Sequence, residues 1–266
     1  MPEPAPLPTA VPGEAFLSDT PILRRHAGTQ PDLFLRWNAI PPGTERVDLV
    51  VHLHGFSQQG GDMRLEEKVP RSGLDLSGRV RPTLAVIPRG NWVRYSAYDF
   101  PALSNGGFDA LVDHALGWIG LALDRLILTG HSGGVMPALD VIAGALRQPD
   151  EMHLYDGLYG RDPATGDPLR DLATIDRWLG ERFAAEPDRP GALRVAYVER
   201  QTGPMSREVQ ELIDRHLASA DPALRALLSR RYRVERSHVP HSHVAWCCGP
   251  DLLADSGRDI DWTKSA

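Results

Sequence analysis

The sequence predicts one α/β domain, a three-layer α/β/α sandwich on a mostly parallel sheet, and three observations predict it. From Leu33 onward, short apolar runs alternate with stretches whose apolar residues recur at helical spacing, the pattern of repeated βα units. One of these runs, residues 125–128, passes straight into a glycine-rich turn that a helical stretch follows. The length of 266 residues, 42% hydrophobic and 24% charged, suits one sizeable core.

Taken in order, residues 1–31 carry Pro2, Pro4, Pro6, Pro8, Pro12 and Pro21 with little apolar period, so a proline-rich N-terminal arm is expected ahead of a domain at 32–266. Residues 33–40 and 47–53 read as strands joined by the turn Pro41-Pro42-Gly43, the second apolar enough to be central. Residues 83–87 form another strand, stopped by Pro88. Leu111, Val112, Ala115 and Ile119 lie on one face of a helix expected over 108–123, and 125–128 is a short buried strand. A helix over 135–146, a strand at 151–155, a helix over 172–183 and a strand at 192–198 continue the alternation. A helix over 207–217, a strand at 232–236 and a last helix around 250–255 complete it.

Composition removes several function classes. The formal charge of −6 gives no broad basic face for nucleic acid, and the densest basic stretch, Arg230, Arg231, Arg233 and Arg236, reads as solvated faces. No apolar run approaches the ~20 residues that cross a bilayer. The two cysteines, Cys247 and Cys248, are adjacent, a spacing that suits neither an internal disulfide nor a cysteine metal site, so buried thiols are expected. No signal peptide is visible, and the absence of bridges favours a cytoplasmic protein; a secreted chain with its leader removed would read the same way.

The chemistry centres on Gly130-His131-Ser132-Gly133-Gly134. A serine hydroxyl is a poor nucleophile at neutral pH and needs a base within hydrogen-bond reach and a group that orients the base. Small residues two before and two after the serine permit a tight turn that lifts the hydroxyl above the sheet, at the head of the next helix. Leu126-Ile127-Leu128 before the turn and the helical stretch after it supply that context. The competing reading is an anion-binding glycine loop; a P-loop is excluded because the Lys-Ser/Thr pair is missing.

On these residues, and on His52-Leu53-His54-Gly55-Phe56 closing an earlier strand, the chain over most of residues 33–256 resembles the α/β-hydrolase superfamily of serine hydrolases. The run Leu53-His54-Gly55-Phe56-Ser57-Gln58 is also similar to the corresponding loop of polyhydroxybutyrate-depolymerase and feruloyl-esterase relatives, with Phe56 where those carry cysteine. The resemblance implies an α/β-hydrolase catalytic domain at 32–266 that cleaves an ester, less readily an amide, through an acyl-enzyme on Ser132, without a cofactor. It further implies an oxyanion hole from the backbone N–H groups of Phe56 and Gly133. The base falls after the last strand, where His238, His241 and His243 all sit, and His241 is preferred. The acid follows either of two successive strands, as Asp156 or Glu199; Asp156 is preferred for the glycine-containing turn that it opens, with Glu199 expected to pair with Arg200 or Arg194.

A pocket is expected from His54, His131, Trp92 and Tyr159, with Tyr95 and Tyr98 as further aromatic candidates. His52 reads as a satisfied buried histidine. A zinc site from His52, His54 and His131 would need a further convergent ligand, so no metal is expected. One connecting helix fits between Asp156 and the strand at 192, which favours an open cleft over a lidded tunnel. The expected partner is a small-molecule ester or acyl compound, with oligomeric state left open. An acyltransferase using the same triad and an inactive hydrolase-like binding protein are the alternative functions.

Overall fold

The computed structural model describes residues 11–56, 64–91, 100–159, 171–186, 188–199, 201–254 and 259–262. Its centre is made of strands buried along most of their length because both faces of the sheet are covered. These are β3 (Arg46–Leu53), β4 (Thr83–Pro88), β5 (Ala122–His131), β6 (Glu151–Tyr155) and β7 (Ala192–Tyr197). With β1 (Gly13–Leu17), β2 (Leu33–Trp37) and β8 (Tyr232–Arg236) they form a sheet of order β1-β2-β4-β3-β5-β6-β7-β8. The pairings from β4 to β8 are parallel, whereas β1 and β2 run antiparallel at one edge. This order, with the sharp serine turn after β5, is the α/β-hydrolase fold.

The helices are α1 (Gly107–Ile119), α2 (Val135–Gly144), α3 (Asp171–Ala185), α4 (Gly203–Ser219), α5 (Pro222–Arg231) and α6 (Val244–Leu253). Alternation along the strands sends neighbouring residues to opposite layers. Leu154 and Val195 enter the main core with Trp178 and Leu179 of α3 and Val209 and Ile213 of α4. Tyr155 and Ala196, one residue further, enter a second core with Val244, Cys247 and Cys248 of α6. Both thiols are buried, as expected, and neither is in a disulfide among the described residues. The segment after β3 docks on α6 at Gly73, whose φ is 72°; a Cβ there would collide with the Ala245 carbonyl, and one on Gly249 would lie 2.8 Å from the Gly73 Cα.

Several boundaries differ from the sequence reading. Within the expected arm, Gly13–Leu17 belongs to the sheet: β1 pairs Phe16 with Phe34, whose rings lie 4.9 Å apart, and Leu23 in the next turn is fully buried. Pro12 and Pro21 flank this strand rather than interrupt it, so the proline pattern concealed five residues of edge strand. The first ten residues lie outside the described ones. Helix α1 stops at Ile119, with the Gly120 N–H donating to the Leu116 carbonyl, and residues 122–123 belong to β5. Helix α5 was not anticipated, although Asp221 caps it by accepting from the Ala223 N–H and Pro222 fits its first turn. Helix α6 starts at Val244, ahead of the expected 250. Among the described residues no helix is long and apolar enough to cross a membrane.

Candidate active site

Strand β5 delivers His131 in extended conformation, and the chain then turns so sharply that Ser132 has φ 54°, a left-handed value that a non-glycine residue adopts only when its surroundings enforce it. The enforcement is steric. A Cβ on Gly134 would collide with the Leu53 carbonyl of β3, and one on Gly130 would lie 2.9 Å from the Gly134 carbonyl oxygen. Glycine at both places lets the elbow close against the end of β3.

Two loops from further along the chain meet this serine. His241 opens a short 3-10 turn, His241–His243, between β8 and α6, and its Nε2 lies 2.9 Å from Ser132 Oγ. Its Nδ1 lies 2.5 Å from Asp156 Oδ2. An ionised carboxylate only accepts, so Nδ1–H donates to Asp156 and Nε2 is left to accept the serine hydroxyl. Asp156 follows β6 at φ 45° and is 3% exposed. Its Oδ1 accepts the Val198 N–H at 2.7 Å and the Thr202 hydroxyl. Burial alone would raise the Asp156 carboxyl, but hydrogen bonds from His241, Thr202 and Val198 outweigh it and hold the group below its usual value.

His131 sits on the other side of His241, with ring centres 5.1 Å apart. Its Nε2–H donates to the His241 carbonyl oxygen at 2.9 Å, which holds the 3-10 turn, and burial pushes its pKa down to about 4, so the ring is neutral. Tyr159 lies over the serine, Oη 3.2 Å from Oγ. Burial raises its phenol, so it remains a hydroxyl. Asp156, Tyr159, Val198, Gln201, Thr202 and His241 line a cleft of about 190 Å³.

The other expected site residues are elsewhere or otherwise engaged. His54 is buried rather than pocket-facing: its Nδ1–H donates to the Gly55 carbonyl at 3.1 Å and its Nε2 accepts the Gly90 N–H at 3.0 Å, tying the end of β3 to the loop after β4. His52 hydrogen-bonds Thr129 Oγ1 at 2.8 Å, and burial pushes it down to about 3. His131 is committed to the His241 carbonyl, so its role is inside the site framework rather than in an open pocket wall. His238 packs edge-on to Trp262, and His243 bonds the Ser242 hydroxyl at 3.0 Å, so neither meets the serine. Glu199 pairs with Arg207 at 2.5 Å and Arg236 at 3.8 Å, whereas Arg194 pairs with Glu235. Trp92, Tyr95, Tyr98 and Arg200 lie outside the described residues. Among the described residues no group of three potential His, Cys, Asp or Glu ligands gathers.

Sequence reasoning missed Thr202. A threonine just before a helix reads as an N-cap, but its side chain caps nothing in α4 and serves Asp156 instead.

No protein-family model matches the chain, and no curated protein does. Among solved structures, the chain is similar to an α/β serine hydrolase without a lid from Xanthomonas campestris, at 15% identity and TM-score 0.41, covering 90% of this chain and 89% of that one. It is similar to a siderophore hydrolase from Aspergillus nidulans at 14% identity and TM-score 0.46, covering 92% of each. A thermophilic esterase from Thermogutta terrifontis matches at 15% identity and TM-score 0.46, over 79% of each chain. These superpositions are loose, and the fold stands on the chain's own strand order and elbow.

Proposed function

We propose that the protein is a serine hydrolase that cleaves a carboxylic ester through an acyl-enzyme on Ser132. His241 Nε2 takes the proton of Ser132 Oγ as the oxygen attacks the substrate carbonyl carbon, and the negative oxygen that forms is met by the N–H groups of Phe56 and Gly133. His241 then gives that proton to the departing alcohol oxygen, leaving the acyl group on Ser132. A water activated by the same ring attacks the acyl carbon and frees acid and serine. Asp156 keeps Nδ1 protonated throughout and stabilises the imidazolium.

The observation that carries the reading is the unbroken chain Ser132 Oγ, His241 Nε2, His241 Nδ1, Asp156 Oδ2, with the serine at positive φ. Such a backbone costs about 1–3 kcal/mol, and functional sites are where such strain collects. The test is covalent labelling with a fluorophosphonate probe and peptide mass spectrometry. We expect modification at Ser132, its loss in Ser132→Ala, and a drop in kcat on an ester panel of about 10⁶-fold in that variant. A folded wild type that takes no label would overturn the reading and leave the inactive binding protein in its place. Product formation that depends on an added alcohol or amine would convert hydrolase into acyltransferase.

A further inference from the structure

Two consecutive carbonyls after β3, those of Gly55 and Phe56, accept from one ammonium. Lys68 Nζ lies 2.6 Å from the Gly55 oxygen and 2.9 Å from the Phe56 oxygen. Lys68 directly follows the 3-10 turn Leu65–Glu67 and is only 8% exposed, an unusual place for a lysine. The Gly55 oxygen also accepts His54 Nδ1–H.

The Gly55 carbonyl and the Phe56 N–H belong to one peptide unit, and it is trans. In a trans unit the two bonds point in opposite directions, so drawing the oxygen onto an ammonium turns the N–H the other way. A charge-assisted bond to the oxygen also polarises the unit and makes its N–H a stronger donor. This unit lies against the nucleophile: a Cβ on Gly55 would be 3.1 Å from Ser132 Cβ and 3.0 Å from His131 Nδ1.

We propose that Lys68 is a positioning residue of the oxyanion hole, its ammonium fixing and polarising the Gly55-Phe56 peptide so that the Phe56 N–H meets the negative oxygen. This rests on the Ser132 reading above. Lys68 touches no reacting atom and acts through the peptide.

The charge of Lys68 is readable in a pH profile. Burial pushes its ammonium down to about 8, with Arg71 adding to that shift and Glu67 opposing it. The other titratable groups that sense it are His52 of β3, His54 just after it and His131 at the elbow, and burial first of all holds all three neutral, at about 3 for His52, about 4 for His131 and well below the usual value for His54. None of these changes charge where Lys68 does. The contribution of the ammonium is therefore complete below about pH 8 and is lost as pH rises through it.

The experiment is the second-order rate of fluorophosphonate labelling at Ser132 from about pH 6 to about pH 10, with circular dichroism at each point. Wild type is expected to lose about tenfold in rate across the alkaline limb, as a charge-assisted bond becomes a neutral one. Lys68→Met is expected to label about 10²-fold more slowly at neutral pH, as for the loss of one oxyanion donor, and to lack the alkaline limb. A wild-type rate that stays flat through this range with the fold intact overturns the proposal, as does a Lys68→Met variant that labels at the wild-type rate or keeps the limb. If Lys68→Met does not fold, the wild-type profile decides alone. A wild type that labels at no pH overturns the Ser132 reading itself, and the lysine's role with it.

Discussion

Strands β6 and β7 lie side by side, and each runs out into a carboxylate that could serve a histidine. Asp156 comes directly after Tyr155, and Glu199 two residues after Tyr197. Their surroundings differ in every respect that matters to an imidazole. The Asp156 side chain is 4% exposed, sits on a left-handed backbone and receives a backbone amide, a hydroxyl and the ring of His241. That of Glu199 is 42% exposed and shares its charge between two solvated arginines. A carboxylate becomes an orienting acid by what donates to it and by the exclusion of water; residue type alone does not decide it.

The largest effect that can break this contrast is Asp156→Asn. On the proposed reading, kcat falls by about 10⁴-fold with the circular dichroism unchanged, because an amide at this position favours the wrong tautomer of His241. Retention of activity in steady-state assays would remove Asp156 from the role. A smaller effect concerns stability against pH. The Asp156 carboxyl is depressed below the ordinary aspartate value of 3.8, so its stabilising contribution is present above that value and is lost as pH falls through the lower folded one. In urea unfolding, the stability difference between wild type and Asp156→Asn should be constant above about pH 5 and narrow below about pH 4. A difference that widened on acidification would reverse the assigned direction. The smallest effect sharpens the contrast from the other side: Glu199→Gln should leave kcat/KM within about twofold and cost at most about 1 kcal/mol, the scale of an exposed ion pair.

What was legible in the sequence follows from which interactions are local. The alternation of strands and helices from Leu33 onward is a one-dimensional signal, and the strand, glycine turn and helix around Ser132 are contiguous, so both could be read. β1 is five residues long at the sheet edge and half exposed, too short for its period to stand out among prolines. The choice of His241 over His238 and His243, and of Asp156 over Glu199, depends on loops 109 and 85 residues apart in the chain meeting in space, and the sequence left those alternatives open. His54 was misread as a pocket residue because strand alternation gives its direction but not the Gly90 amide waiting there. Lys68 follows two glutamates and carries no local mark of burial.

The backbone contact of Gly73 with Gly249 and the Ala245 carbonyl has a consequence for how such a protein can be recombined. The segment that carries Lys68 and the helix that follows His241 meet there without side chains between them, so neither can shift alone. A chimera that imported only one of the two from a relative would bring a foreign backbone path to a contact with no slack. On the proposed function, the two segments form one inheritable block, and changes of specificity at Ser132 would have to exchange them together or be confined to the cleft walls outside that block.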